Sequence, residues 1–189
     1  MKASYLMLLS ILSSTSHAGL LDFKPVPDVR LGLGSSVMYV DPADSYSRTN
    51  ENWHPAWLIN ADIVFNNYLG VKTDFYYLNS RYDVSGSGQE LTVLTGYGLS
   101  EGGPRIYLSN GIYHENRRDK DATREKSQKF SGWTTGLGIG YQWQRWSIDF
   151  NTNIRQNSDY VEYYEDKNVQ LNKDEVWAVH TQAIISYEL

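Results

Sequence analysis

The chain of 189 residues contains no cysteine. That excludes a disulfide scaffold, a thiolate metal site and anchoring as a lipoprotein through a lipidated cysteine. It also lacks long apolar runs, and beyond the N-terminus nothing approaches the roughly 20 consecutive apolar residues of a transmembrane helix. Basic residues are not in excess: 17 Lys and Arg stand against 22 Asp and Glu, for a net charge of −5. Nothing in that balance supports nucleic-acid binding. A mean hydropathy of −0.50 rules out a helical membrane protein. It does not rule out a barrel, whose lumen and loops are polar and whose lipid face uses only alternate residues.

What is present begins with a leader. Lys2 opens a charged region, Ala3 to Leu12 is mostly apolar, and Ser16, His17 and Ala18 precede a cleavage point. Residues 1–18 are therefore expected to be a secretory signal peptide, residues 19–28 a short periplasmic arm, and residues 29–189 the folded domain.

The strongest signal lies in alternation. Trp133, Thr135, Leu137, Ile139, Tyr141 and Trp143 fall on one face of a strand, while Gly132, Thr134, Gly136, Gly138, Gly140 and Gln142 fall on the other. Trp177, Val179, Thr181, Ala183, Ile185, Tyr187 and Leu189 repeat the pattern. Trp133 and Trp143 would be separated by roughly 23 Å along a membrane normal if the strand is tilted. That matches the apolar band of a membrane barrel with indoles at both interfaces, where an apolar ring and a wet N–H suit the boundary. The expected interface aromatics are Trp133, Tyr141, Trp143, Trp146, Trp177 and Tyr187.

Eight such segments can be placed, at about 30–40, 57–65, 69–77, 90–99, 105–114, 132–143, 146–154 and 177–189. The fifth has ambiguous parity, since Ile106, Leu108 and Ile112 compete with Tyr107 and Tyr113. Asn66-Asn67, Ser100 to Pro104 and Gln144-Arg145 read as short turns, the asparagines because Asn tolerates positive φ. Asp41 to Pro55, Asn79 to Gln89, Glu115 to Lys129 and Arg155 to Glu175 read as long loops. The expectation is an all-β, eight-stranded antiparallel up-and-down transmembrane barrel, with both termini periplasmic and the long loops extracellular.

On these features the chain resembles the small eight-stranded outer-membrane barrels of Gram-negative bacteria, the class of the outer membrane protein A transmembrane domain and the outer membrane protein X and Ail proteins. The resemblance implies residence in the outer membrane and insertion by the barrel-assembly machinery, which reads the last strand. Family members commonly end in Phe. Here Tyr187 and Leu189 hold the last two outward positions. No peptidoglycan-binding domain is expected to follow.

Arg30, Asp62, Lys72, Asp74, Asp149, His180 and Glu188 are assigned to the lumen. An ion pathway is one reading and a polar plug the other; the plug is preferred because eight strands leave a bore that side chains fill, and buried charges persist when paired. Arg117, Arg118, Lys120, Arg124 and Lys126 make the loop between the fifth and sixth segments a candidate anion site facing lipopolysaccharide phosphates. Tyr160, Tyr163 and Tyr164 in the acidic loop that follows suggest a protein-contact surface, without the spacing of a calcium loop.

No cofactor, metal or catalytic set is expected. His54, His114 and His180, with Ser109 and Glu115, lack the His and Ser two residues apart found in barrels that deacylate lipid A. The expected function is non-enzymatic, with loops contacting outer-membrane lipids and lipopolysaccharide, or an extracellular protein or polysaccharide. The alternatives are a lipid A-modifying enzyme and a soluble lipocalin-like binding barrel.

Overall fold

A computed structural model describes residues 23–41, 53–79, 84–119, 126–166 and 176–189. The expected signal peptide and residues 19–22 lie outside them. The strands are β1 (Asp28–Asp41), β2 (Trp53–Val64), β3 (Leu69–Asn79), β4 (Val84–Tyr97), β5 (Gly103–Asp119), β6 (Lys126–Trp143), β7 (Trp146–Arg155) and β8 (Trp177–Glu188). One helix, α1 (Ser158–Asp166), stands between β7 and β8. Each strand pairs with its neighbour in sequence and β1 closes on β8, so the sheet has no edge. Every pairing is antiparallel.

The register fixes the shape. Stepping across paired residues from Arg30 leads to Asp62, Lys72, Thr92, Gly111, Thr134, Arg155, Ala178 and back onto β1 at Val40. That return is displaced by ten residues, and a stagger of this size over eight strands tilts them by about 40° and leaves a bore that side chains fill. The path also climbs through the lumen, because its members point inward.

Side chains alternate as the pleat requires, with the apolar set outside. Leu33, Trp57, Ile59, Phe75, Leu137, Ile139 and Ile185 are exposed, whereas Arg30, Asn60, Lys72, Glu90, Asn151 and His180 are buried. A soluble barrel needs the reverse arrangement, so the lipocalin-like alternative is contradicted. This apolar wall around a polar lumen is the construction of a membrane-spanning barrel. Tyr97, Tyr141, Trp143 and Trp146 ring the short-turn rim; Trp53, Trp133 and Trp177 ring the other, all exposed. Tyr187 packs edge-on against Trp146 at 5.0 Å, and Tyr39 packs against Trp53 at 4.6 Å. All six expected interface aromatics face outward.

The β5 ambiguity resolves toward the aliphatic set: Ile106, Leu108 and Ile112 face out, and Tyr107 and Tyr113 are buried. The tyrosines point inward because their hydroxyls find partners there and neighbouring glycines make room. A Cβ on Gly138 would lie 2.2 Å from the Tyr107 ring, and one on Gly88 would lie 2.2 Å from Tyr76.

The turns differ from expectation in one detail. Asn66 and Asn67 do not adopt positive φ; the Asn66 carboxamide instead accepts from the amides of Tyr68 and Leu69, both at 2.8 Å. Among the described residues the left-handed residue other than glycine is Gln144, at φ 55°, in the two-residue turn between β6 and β7. A larger correction concerns the segment Glu115 to Lys129, expected as a loop. β5 and β6 stay paired as far as Asp119 and Lys126, so much of it is a hairpin extension.

Candidate functional site

The lumen and the long-loop rim are the places where this wall presents chemistry. Five cations, Arg30, Lys72, Arg105, Arg117 and Arg155, and five carboxylates, Asp62, Asp74, Glu90, Glu115 and Asp149, are buried among the described residues. The equality of the two sets is what a desolvated lumen requires, since an unpaired buried charge is strongly destabilising.

The pairs are layered from the short-turn rim upward. Arg30 donates to the Leu99 carbonyl and to Gln142 Oε1, each at 2.7 Å, and its Nε lies 3.6 Å from the partly exposed Glu188. Arg105 is paired with Asp149. In the next layer Lys72 Nζ meets Asp74 at 3.1 Å and Gln182 Oε1 at 2.6 Å, while Asn60 donates to Asp62 at 2.9 Å and to Asp74 at 3.0 Å. Gln182 closes the ring by donating to Asp74 at 3.0 Å. All seven expected lumen residues face the lumen.

The centre of the network is Arg155. Its Nη2 lies 2.7 Å from Glu90 and its Nη1 lies 3.0 Å from Glu115. Nη1 also donates to the Tyr76 hydroxyl at 3.0 Å, and that hydroxyl donates to Glu115 at 2.7 Å. His180 Nδ1 is 2.8 Å from Arg155 Nη2. A guanidinium cannot accept, so Nδ1 accepts and the imidazole carries its proton on Nε2. Asn153 also donates to Glu90, and the guanidinium of Arg155 stacks on Tyr113 at 4.6 Å.

Above this layer the lumen stops being polar. Met38, Val40, Leu58, Leu78, Phe130 and Ala178 point inward and are buried. Helix α1 closes over them: Tyr160 stacks on Phe130 at 4.6 Å, and Arg117, paired with Glu115, lies over both rings at 5.1 and 5.3 Å. Asp159 accepts from the Ser131 amide at 2.7 Å, and Asn157 donates to the Val176 carbonyl at 2.8 Å. Desolvation pushes the Tyr160 phenol's pKa upward, with Glu115 acting in the same direction.

Two expectations are therefore corrected. Tyr160 does not belong to an exposed contact surface; it is a buried plug, and Tyr163 packs partly buried against the same cluster. The side chain of Tyr164 lies outside the described residues. Arg117 faces inward, because its odd position on β5 shares the lumen face with Tyr113 and Glu115, whereas Arg118 is exposed on the outer face together with Lys129 of β6. Lys120 and Arg124 lie outside the described residues, and Lys126 is the first residue of β6.

The hydrolytic candidates are not assembled. His114 is exposed on the outer wall while Ser109 and Glu115 are buried in the lumen. Ser109 is bonded to Asn153 at 2.7 Å. His54 is buried near the apolar mouth. No group of three metal-binding side chains converges among the described residues. A groove of about 700 Å³, lined by Leu33, Ser35, Trp57, Phe75, Ala183 and Ile185 among others, opens on the lipid-facing wall rather than into the lumen.

Reading alone missed Glu90, Arg105, Glu115 and Arg155 as lumen residues. The first two sat at assumed strand ends, and the last two in assumed loops. A usable signal existed for Arg155, which continues the inward parity of Asp149, Asn151 and Asn153.

No family model matches the chain, and no curated protein matches it. Solved structures do. The N-terminal β-barrel domain of Pseudomonas aeruginosa OprF superposes with a TM-score of 0.59 at 10% identity, covering 86% of this chain and 99% of that one. Ail, the attachment invasion locus protein of Yersinia pestis, gives 0.57 at 14% identity, covering 87% and 99%. Its complex with the heparin analogue sucrose octasulfate gives 0.54 at 14% identity, with the same coverage. Neisserial surface protein A gives 0.58 at 9% identity, covering 85% and 97%. In fold the chain is similar to the small eight-stranded outer-membrane barrels.

Proposed function

We propose that the chain is an integral outer-membrane protein without catalytic activity, whose long-loop rim holds anionic surface glycans, with its termini in the periplasm. The phosphates of lipopolysaccharide and the sulfates or carboxylates of an extracellular polysaccharide share the chemistry that this rim would recognise. Insertion would use the barrel-assembly machinery.

The observation that carries the reading is the division of basic residues. Those in the lumen are matched by carboxylates and unavailable to a ligand. Arg118 and Lys129, by contrast, stand exposed on the outer face of paired β5 and β6, and Lys120, Arg124 and Lys126 lie between them in sequence. Arginine and lysine held on paired strands bind phosphate or sulfate with less conformational entropy to lose. A similarly folded protein, Ail, was captured with a sulfated heparin analogue, which supports the ligand class.

The test replaces Arg118, Lys120, Arg124, Lys126 and Lys129 with Gln and leaves Arg117 intact. Binding of lipopolysaccharide and of heparin to the barrel in vesicles should fall at least tenfold. The wild-type affinity should fall steeply with salt, because exposed charges are screened beyond roughly 8 Å at physiological ionic strength. Unchanged binding by a correctly folded variant would overturn the proposal.

A further inference from the structure

A carboxamide sits in the middle of an aliphatic row on the lipid-facing wall. The outward series of β5 runs Ile106, Leu108, Asn110, Ile112, and its three apolar members are exposed at 53%, 39% and 63%. Asn110 shares their parity and pairs across to Val93 on β4 and Thr135 on β6. Thr135 is one outward position inside the Trp133 girdle, roughly 5 Å deeper on a tilted strand. Asn110 is therefore a carboxamide within the apolar band.

Its hydrogen bonding is half complete. The Thr135 hydroxyl donates to Asn110 Oδ1 at 2.7 Å, which leaves both N–H groups of Nδ2 on this half-buried side chain without a hydrogen-bond partner. If the amide is turned over, the threonine oxygen accepts instead and the carbonyl is left over; either way one end of the carboxamide lacks a partner. Lipid tails cannot supply one, and a polar group left unmet in the bilayer is costly. Polar side chains in such positions mark contacts with other protein.

We infer that Asn110 is the centre of a homodimer contact within the membrane. A carboxamide is self-complementary: its N–H groups and carbonyl match those of a second copy. Two copies inserted in the same direction are related by an axis along the membrane normal, which brings each residue opposite itself at the same depth. Asn110 then meets its own counterpart and satisfies the end that Thr135 does not. Val93 and Thr135 on either side are short β-branched residues, so the walls can approach closely along this row.

The absence of native cysteine makes the test direct. Ile112→Cys places one thiol beside Asn110, and Leu33→Cys places one on β1, on the opposite side of the barrel. The purified full chain, inserted into phosphatidylcholine vesicles and oxidised with copper phenanthroline, should give a disulfide-linked dimer for the first variant and little for the second. Adding Asn110→Leu to the Ile112→Cys chain should lower the dimer at least fivefold. A heat-dependent gel shift verifies that each variant is folded. Equal crosslinking from Ile112→Cys and Leu33→Cys, or a dimer that survives Asn110→Leu, overturns the inference. Crosslinking to another protein in cells, with no dimer in vesicles, overturns it as well and assigns the face to a different partner.

Discussion

Replacing Arg155 with Met tests whether the lumen is held by matched charge. The substitution keeps length and apolar bulk beneath Tyr113 and removes the cation that faces Glu90 and Glu115. Glu115 retains Arg117 and the Tyr76 hydroxyl. Glu90 retains Asn153 and Thr134, but no permanent cation. A buried carboxylate stripped of its partner costs about 3 to 5 kcal/mol, so the variant should unfold at a clearly lower urea concentration when tryptophan fluorescence is followed in vesicles. Adding Glu90→Gln removes the orphaned charge while keeping the shape. The pair should recover much of the loss, giving an interaction energy of roughly 1 to 3 kcal/mol in the double-mutant cycle. A loss below about 1 kcal/mol for Arg155→Met alone would refute the reasoning, because it would mean that the lumen solvates Glu90 well enough to make its partner dispensable.

The two faces of β6 should respond to substitution for different reasons. Leu137→Arg puts a charge into lipid and should cost about 2 to 4 kcal/mol in vesicle-based unfolding, whereas Gly138→Ala should act through its clash with the Tyr107 ring at about 1 to 3 kcal/mol; equal tolerance of Arg at Leu137 and at Lys129 would contradict the assigned faces. Tyr160→Ala removes the ring stacked between α1 and Phe130. Protease should then cut within residues 158–166 faster than in the wild type, while the heat-dependent gel shift of the barrel is retained. Loss of that shift would show that the plug is integral to the barrel rather than seated on it.

Alternation with period two, aromatic endpoints and short turns were enough to place eight strands and their outward faces. A strand with lipid on one side writes its environment into every second residue. The same alternation sets which aromatics point outward and which charged residues point inward. Strand ends were not legible, because beyond the Trp133 girdle the outward residues of β4, β5 and β6 turn polar, as at Ser87, Arg118 and Lys129, while some inward ones are apolar, and the alternation loses contrast. The inward tyrosines of β5 competed with aliphatic residues on pattern alone; the glycine opposite Tyr107 and the partners of its hydroxyl exist only once β6 and β7 are alongside.

By itself, then, the sequence determined the class of solvent each face meets and the direction in which the chain reverses. Tertiary structure decided which charges meet. Arg155 and Glu90 are 65 positions apart, and their pairing follows from the stagger of the closed sheet, which no local pattern encodes. Closure also turned Arg117 inward and drew Tyr160 into an apolar mouth that forms only where several strands bring their inward residues together.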